Sequence, residues 1–196
     1  MWTRDRIVKV FVAALGVFTG VASALAGGGN VLPATANPKG YSLSDIAVAT
    51  ADYNTDPSST PPNVPFEILV GDTTVTPGTT IYLPIFFAND SPPVDPAFPT
   101  DIGDQAADAE YLLDTAGVEA FIVDVDGETT ILNEDYIRGV TTAPMLGGGT
   151  HYIVSAAFLT PLTPGEHTVG IGGVLDVGPD DDDEPVVFVS YNVTVR

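Results

Sequence analysis

The chain has 196 residues, with 26 Asp and Glu against 6 Lys and Arg, a formal net charge of −20 and no cysteine. That length suits one domain with a sizeable core, and the missing cysteines exclude thiol redox chemistry and disulfide stapling. The acidity excludes nucleic acid and anionic membranes as partners, because both are gripped chiefly through Lys and Arg contacts to phosphate.

Residues 1–26 read as a signal peptide. Arg4, Arg6 and Lys9 form a basic start, an apolar run from Val10 to Leu25 follows, and Ala24-Leu25-Ala26 ends in the small-x-small pattern of a cleavage site. The run falls short of the roughly 20 residues of a spanning helix, so cleavage and export are expected ahead of retention as an anchor. Export places the protein outside the cell or at its surface. Cleavage leaves Lys39, Arg138 and Arg196 against 25 acidic residues (26 less Asp5), a net charge of −22. Self-repulsion on that scale calls for screening by salt or for bound calcium.

Residues 27–40, rich in Gly and Pro, read as a flexible lead-in to a single domain over 41–196. From Tyr41 onward short apolar runs alternate with Pro, Gly, Asn and Asp, the pattern of many strands joined by turns. Ile46 to Ala51 and Phe66 to Val70 are the first expected strands. Thr79 to Phe87 is a third, with Ile81, Leu83, Ile85 and Phe87 on one face; Pro84 within it cannot donate a ladder hydrogen bond, which predicts an edge position or a bulge.

Residues 88–117 form a long excursion, and one of such length in a compact domain usually carries function. Within it, Asp104 to Thr115 is rich in helix formers and is closed by Gly117, which predicts a short helix. Residues 118–132 read as a hairpin about Asp126-Gly127, a pair suited to the positive-φ positions of a type I′ turn. His151 to Leu159 and Glu166 to Leu175 are two further strands, joined through Thr163-Pro164-Gly165. The last strand alternates cleanly, Val187, Val189, Tyr191, Val193 and Val195 against Phe188, Ser190, Asn192 and Thr194. About eight strands, one short helix in the excursion and no regular alternation of strand and helix predict an all-β antiparallel sandwich.

The stretch Leu162-Thr-Pro-Gly-Glu-His-Thr-Val169, followed by Ser190-Tyr-Asn-Val-Thr-Val195, resembles the closing strands of secreted bacterial immunoglobulin-like domains. The resemblance covers about the last 45 residues and implies an immunoglobulin-like fold, enlarged over that family's usual size of roughly 100 residues by the 88–117 excursion. It also puts His167 where such folds often place an inward tyrosine, which implies a structural histidine.

Several groups are candidates for chemistry. Asp180, Asp181, Asp182, Asp183 and Glu184 form the densest acidic run and would supply oxygen ligands to calcium, the one cofactor the residues suggest; the plainer reading is a solvated turn that protects the flanking strands. Asp124, Asp126 and Glu128 mimic the start of a calcium loop but lack its later ligands. Asp101, Asp104 and Tyr111 are the candidate ligand-binding residues of the excursion, with acids at a helix start as the plainer reading. Tyr41, Tyr53, Phe98 and Tyr111 would serve as stacking platforms for sugar. His151 and His167 are the only histidines, too few for a three-histidine zinc site, and no nucleophile elbow is present. The reading is therefore a secreted, non-catalytic structural or adhesive cell-surface module, with calcium as its candidate stabiliser, whose partner is a cell-surface or matrix protein, a glycan or another copy of itself. A carbohydrate-binding module is the alternative, and a hydrolase built on His151 or His167 the least favoured.

Overall fold

The computed structural model describes residues 30–56, 58–175 and 184–196. Nine strands form two sheets. One has the order β1-β3-β7-β6, from Glu67–Ile68, Ile81–Asn89, His151–Leu159 and Ile137–Thr141; the other has the order β2-β9-β8-β4-β5, from Thr73–Val75, Glu184–Val195, Gly165–Leu175, Ala120–Val125 and Glu128–Leu132. Pairing is antiparallel except where the short strands β1 and β2 lie parallel to β3 and β9. The protein is thus mostly β, as expected, with two sheets and few helices.

The inner faces share one core, in which Ile81, Leu83, Ile153, Ala157 and Leu159 of the first sheet meet Phe121, Val123, Val125, Val169 and Val193 of the second. Strand β7 is buried on both sides. Its other face, Tyr152, Val154, Ala156 and Phe158, packs under helix α1 (Leu43–Thr55) in a second cluster with Leu43, Ile46, Ala47, Ala51 and Phe66. A helix therefore covers the outside of the first sheet as a third layer, and the near-continuous apolar run of β7 matches that double burial.

Helix α1 corrects the expected strand at Ile46 to Ala51. Ile46, Val48 and Thr50 alternate as a strand would, yet the buried positions are Leu43, Ile46, Ala47, Thr50 and Ala51, a helical stripe, while Val48 is exposed. Ser42 starts it with a reciprocal cap: its hydroxyl accepts from the Asp45 N–H at 3.1 Å and the Asp45 carboxylate accepts from the Ser42 N–H at 2.9 Å. Such a cap is worth about 1 kcal/mol. The strand expected at Phe66 to Val70 shrinks to the two residues of β1, and β2 and β6 arise from segments with no assigned element.

Pro84 falls at the predicted irregularity. The register between β3 and β7 slips between Pro84 and Phe86, so Ile85 has no partner and the face pattern reverses beyond it. Phe86 turns onto Phe121 in the core, at 5.9 Å between ring centroids, while Phe87 packs on Tyr152 at 5.7 Å on the opposite face. The single-faced set Ile81, Leu83, Ile85, Phe87 is corrected accordingly.

Helix α2 spans Gln105–Ala116, with Asp104 accepting at its start from the N–H groups of Ala106 and Ala107, and Gly117 closing it at φ +69°. The hairpin turn is as expected, with Asp126 at φ +56° and Gly127 at φ +87°. Strands β7 and β8, consecutive in sequence, belong to different sheets, so the Thr163-Pro164-Gly165 link crosses between layers. Residues 30–32, inside the segment read as a lead-in, run beside the end of β7: Leu32 N–H donates to the Phe158 carbonyl at 2.8 Å and Thr160 N–H to that of Asn30 at 2.7 Å.

Candidate functional site

The end of β3 and the start of β7 lie side by side, Asn89 opposite Tyr152, and the chain leaving each is locked to the other. Asp90 Oδ1 accepts from the Thr150 and His151 N–H groups at 2.7 and 2.8 Å, and Oδ2 accepts from His151 Nδ1 at 2.9 Å. Burial pushes the Asp90 carboxyl up, but the His151 and Thr150 N–H groups and the His151 ring outweigh it and hold the carboxyl below its ordinary range. Beside it, Ser91 Oγ accepts from Gly149 N–H at 3.2 Å. Gly147 and Gly149 leave the space this clasp needs, because a Cβ on either would stand 2.5 Å from Ser91 or Asp90. Gly148 turns the chain at φ +89°.

The clasp braces the loop 142–150. Met145 N–H donates to the Gly149 carbonyl and Gly148 N–H to the Met145 carbonyl, both at 2.8 Å, which closes a tight tip. Met145 is only 3% exposed and joins the cluster beneath α1, whereas its neighbour Leu146 is 76% exposed. Segment 90–98 lies against the same clasp. Its far end is fixed by Phe98, which is buried and meets Tyr111 edge-on at 5.2 Å, and its middle presents Val94 half exposed. Between the 142–150 loop and the last turn of α1 is a cavity of about 290 Å³ lined by Asp52, Asp56, Ser59, Pro144, Met145 and Leu146.

Asp104 caps α2, and Asp101 stands just before it with its carbonyl accepting the Asp104 N–H at 3.4 Å. Tyr111 is held in that edge-on contact with Phe98, and partial burial raises its hydroxyl above the ordinary range. Asp108, one turn beyond the cap, is 1% exposed; one carboxylate oxygen accepts from Gly103 N–H at 3.0 Å and the other has no partner among the described residues, and burial raises its carboxyl. Its side chain fills the place a Cβ on Gly139 of β6 would take. Asp180, Asp181, Asp182 and Asp183 lie outside the described residues, and Glu184 opens β9. Among the described residues no group of three or more His, Asp or Glu is placed to hold a metal ion.

His167 sits where a structural histidine was expected. Its Nδ1 donates to Asp126 Oδ2 at 2.7 Å and its Nε2 to the Thr163 carbonyl at 2.8 Å. With both nitrogens facing acceptors, the imidazolium is favoured; Asp126 first and the Thr163 carbonyl second raise its pKa. His151 and His167 are held by different carboxylates, in the β3–β7 and β4–β8 regions respectively.

Of the residues that dominate this end, Leu146, Ser91, Asp52 and Asp56 were not singled out from the sequence, and Asp90 was noted only as one of the acids of the excursion. The one local signal was the run Gly147-Gly148-Gly149 after an apolar pair. Three of the four aromatics expected to stack on sugar are engaged elsewhere: Tyr41 meets Phe66 edge-on at 5.5 Å, and Phe98 and Tyr111 meet each other.

No protein-family model matches the chain, and no curated protein matches it. Two solved structures are similar. Amebosin is 17% identical, with 68% of this chain and 100% of that one covered at a TM-score of 0.30. The cysteine protease inhibitor EhICP2 from Entamoeba histolytica is 16% identical, with 69% and 99% covered at a TM-score of 0.33. The second is described as a cysteine protease inhibitor, at variance with the adhesive or structural module and the matrix-protein or glycan partner expected from the sequence. Overlaps this low decide neither fold family nor activity, so the case for function rests on the loop end.

Proposed function

We propose that this protein is a non-catalytic binding module, an enlarged immunoglobulin-like sandwich exported from the cell, that seats its 142–150 loop in the cleft of a protease and inhibits it. The observation that carries this reading is Leu146, 76% exposed at the tip of a loop whose base is held by Met145 and by the Asp90 clasp. Water-exposed leucine on a braced loop is poor for stability and good for binding: its burial against a partner recovers apolar area, and the ordering cost has already been met in folding. Enzyme clefts are concave and largely apolar, so a fixed convex tip is their complement. A loop that stays rigid also suits an inhibitor, because protease–inhibitor partners change little in backbone on binding.

The test is steady-state inhibition of a panel of cysteine and serine proteases by the wild-type chain and by Leu146→Asp. Saturable inhibition of at least one protease, weakened about 30-fold or more by the substitution, is the expected result. A panel left uninhibited, or an equally potent Leu146→Asp variant, refutes the reading.

A further inference from the structure

Asn192-Val193-Thr194 lies within β9, and an asparagine two places before a threonine, with no proline between them, is the acceptor pattern for an N-linked glycan. An extended strand puts the side chains of residues two apart on one face. Val193 between them is buried in the core, so Asn192 and Thr194 point outward from the second sheet, where Asn192 is exposed. The surroundings there are polar: Thr168 of β8 stands opposite Asn192, and the Thr194 hydroxyl donates to Glu166 Oε2 at 3.1 Å. Asp72, just before β2, accepts from the Asn192 backbone N–H at 2.8 Å and from its side-chain Nδ2 at 3.2 Å. A carboxamide nitrogen carries two hydrogens. One of them serves Asp72, and the other has no partner among the described residues, so a substituent on Nδ2 can replace the second and leave the first in place.

Asn89-Asp90-Ser91 has the same spelling and a different structure. Asn89 Oδ1 accepts from the Ser91 N–H at 2.9 Å, which folds the triplet into a turn. The Ser91 hydroxyl accepts from Gly149 N–H, and Pro92 follows at once and restricts the backbone of Ser91. This triplet belongs to the clasp beside the 142–150 loop, whereas Asn192 lies in the other sheet.

We propose that Asn192 is a site of N-linked glycosylation and that Asn89 is not. The inference rests on the reading that the chain is exported, since export brings it to a membrane transferase whose donor is an oligosaccharide on a polyprenyl diphosphate. In the transfer, Asn192 Nδ2 bonds to the anomeric carbon of the first sugar. The bond from that carbon to the diphosphate oxygen breaks, its electron pair leaves on the diphosphate, and one amide proton passes to the transferase's base. The amide keeps one N–H, which is what Asp72 requires.

The experiment is intact-mass and peptide-map mass spectrometry of the full chain made in cells of its natural source, with Asn192→Gln, Thr194→Val, Thr194→Ser and Asn89→Gln alongside. Expected are a mature N-terminus at Gly27 and a carbohydrate mass on the peptide that holds Asn192. That mass should be lost in Asn192→Gln and Thr194→Val and kept in Thr194→Ser and Asn89→Gln. Release of the glycan by an amidase in heavy-oxygen water should leave a labelled aspartate at position 192. The wild-type chain alone decides the matter should a variant fail to fold. An exported chain cleaved after Ala26 with a bare Asn192 overturns the proposal while the export reading stands, as does a carbohydrate mass that survives Asn192→Gln or disappears in Asn89→Gln. A chain that keeps residues 1–26 and stays inside the cell with a bare Asn192 overturns both.

Discussion

Asp90→Ala removes the acceptor of two backbone N–H groups and one imidazole N–H, at 2.7, 2.8 and 2.9 Å. Hydrogen bonds to a charged group each contribute about 1.5–3 kcal/mol when buried. The Asp90 side chain is 19% exposed and the His151 side chain 37%, so water replaces part of what is lost, and about 3 kcal/mol for the set is the expected cost. For a domain of this size that is a fall in melting temperature of about 6–12 °C, read by calorimetry and by urea melts. The pH dependence adds a second, independent signature. A folded-state pKa below the ordinary carboxyl value of 3.8 means that the stability is present above that value and is lost as pH falls through the folded pKa. Wild type should therefore lose stability in that acid window, and Asp90→Ala should lose less. A loss under about 1 kcal/mol, or an acid limb as steep in the variant as in wild type, would refute the reasoning that one carboxylate holds the loop end together.

Met145→Ala deletes a buried side chain beneath α1 and should cost about 2–4 kcal/mol, together with weaker protease inhibition, because the loop loses its anchor; full inhibition at lowered stability would separate the anchor from the binding face. Gly139→Ala drives a methyl group into the Asp108 carboxyl and should destabilise by about 2 kcal/mol, largely rescued in Gly139→Ala/Asp108→Ala; additive losses in denaturant melts would contradict the shared space. His167, with its pKa raised above the ordinary imidazole value of 6.5, contributes stability that is present below that value and lost as pH rises through the folded pKa. Urea melts across that window should flatten in His167→Gln, and a wild-type profile without a slope there would count against the imidazolium.

The elements legible in the chain were those whose signals lie within a few residues. Asp126-Gly127 supplies the positive φ values of a hairpin turn, Asp104 and Gly117 bracket α2, and the alternation of β9 from Val189 to Val195 follows from one sheet face meeting the core, whereas Val187, beyond a register shift, is exposed. Local pattern misled where it was shared by two structures. The run Ile46 to Ala51 alternates as a strand and also lays a helical stripe; what selects the helix is the Ser42–Asp45 cap together with the apolar outer face that Tyr152, Val154 and Phe158 of β7 offer it from a hundred residues away. In β3 the proline was legible, but the sense of the bulge, which sends Phe86 inward and Phe87 outward, depends on the partner strand.

The sequence by itself determined a cysteine-free, acidic chain of predominantly β structure with one helix in a long excursion, because composition, turn chemistry and short-range periodicity act locally. Only the tertiary structure decided the loop end that carries Leu146. Asp90 reaches backbone groups 60 and 61 residues on, Asp108 occupies the room left by Gly139, and the last turn of α1 meets the 142–150 loop to enclose the Asp52–Asp56 cavity. Those contacts join segments far apart along the chain, and their geometry exists only once two sheets and a covering helix have packed and left one leucine in the water.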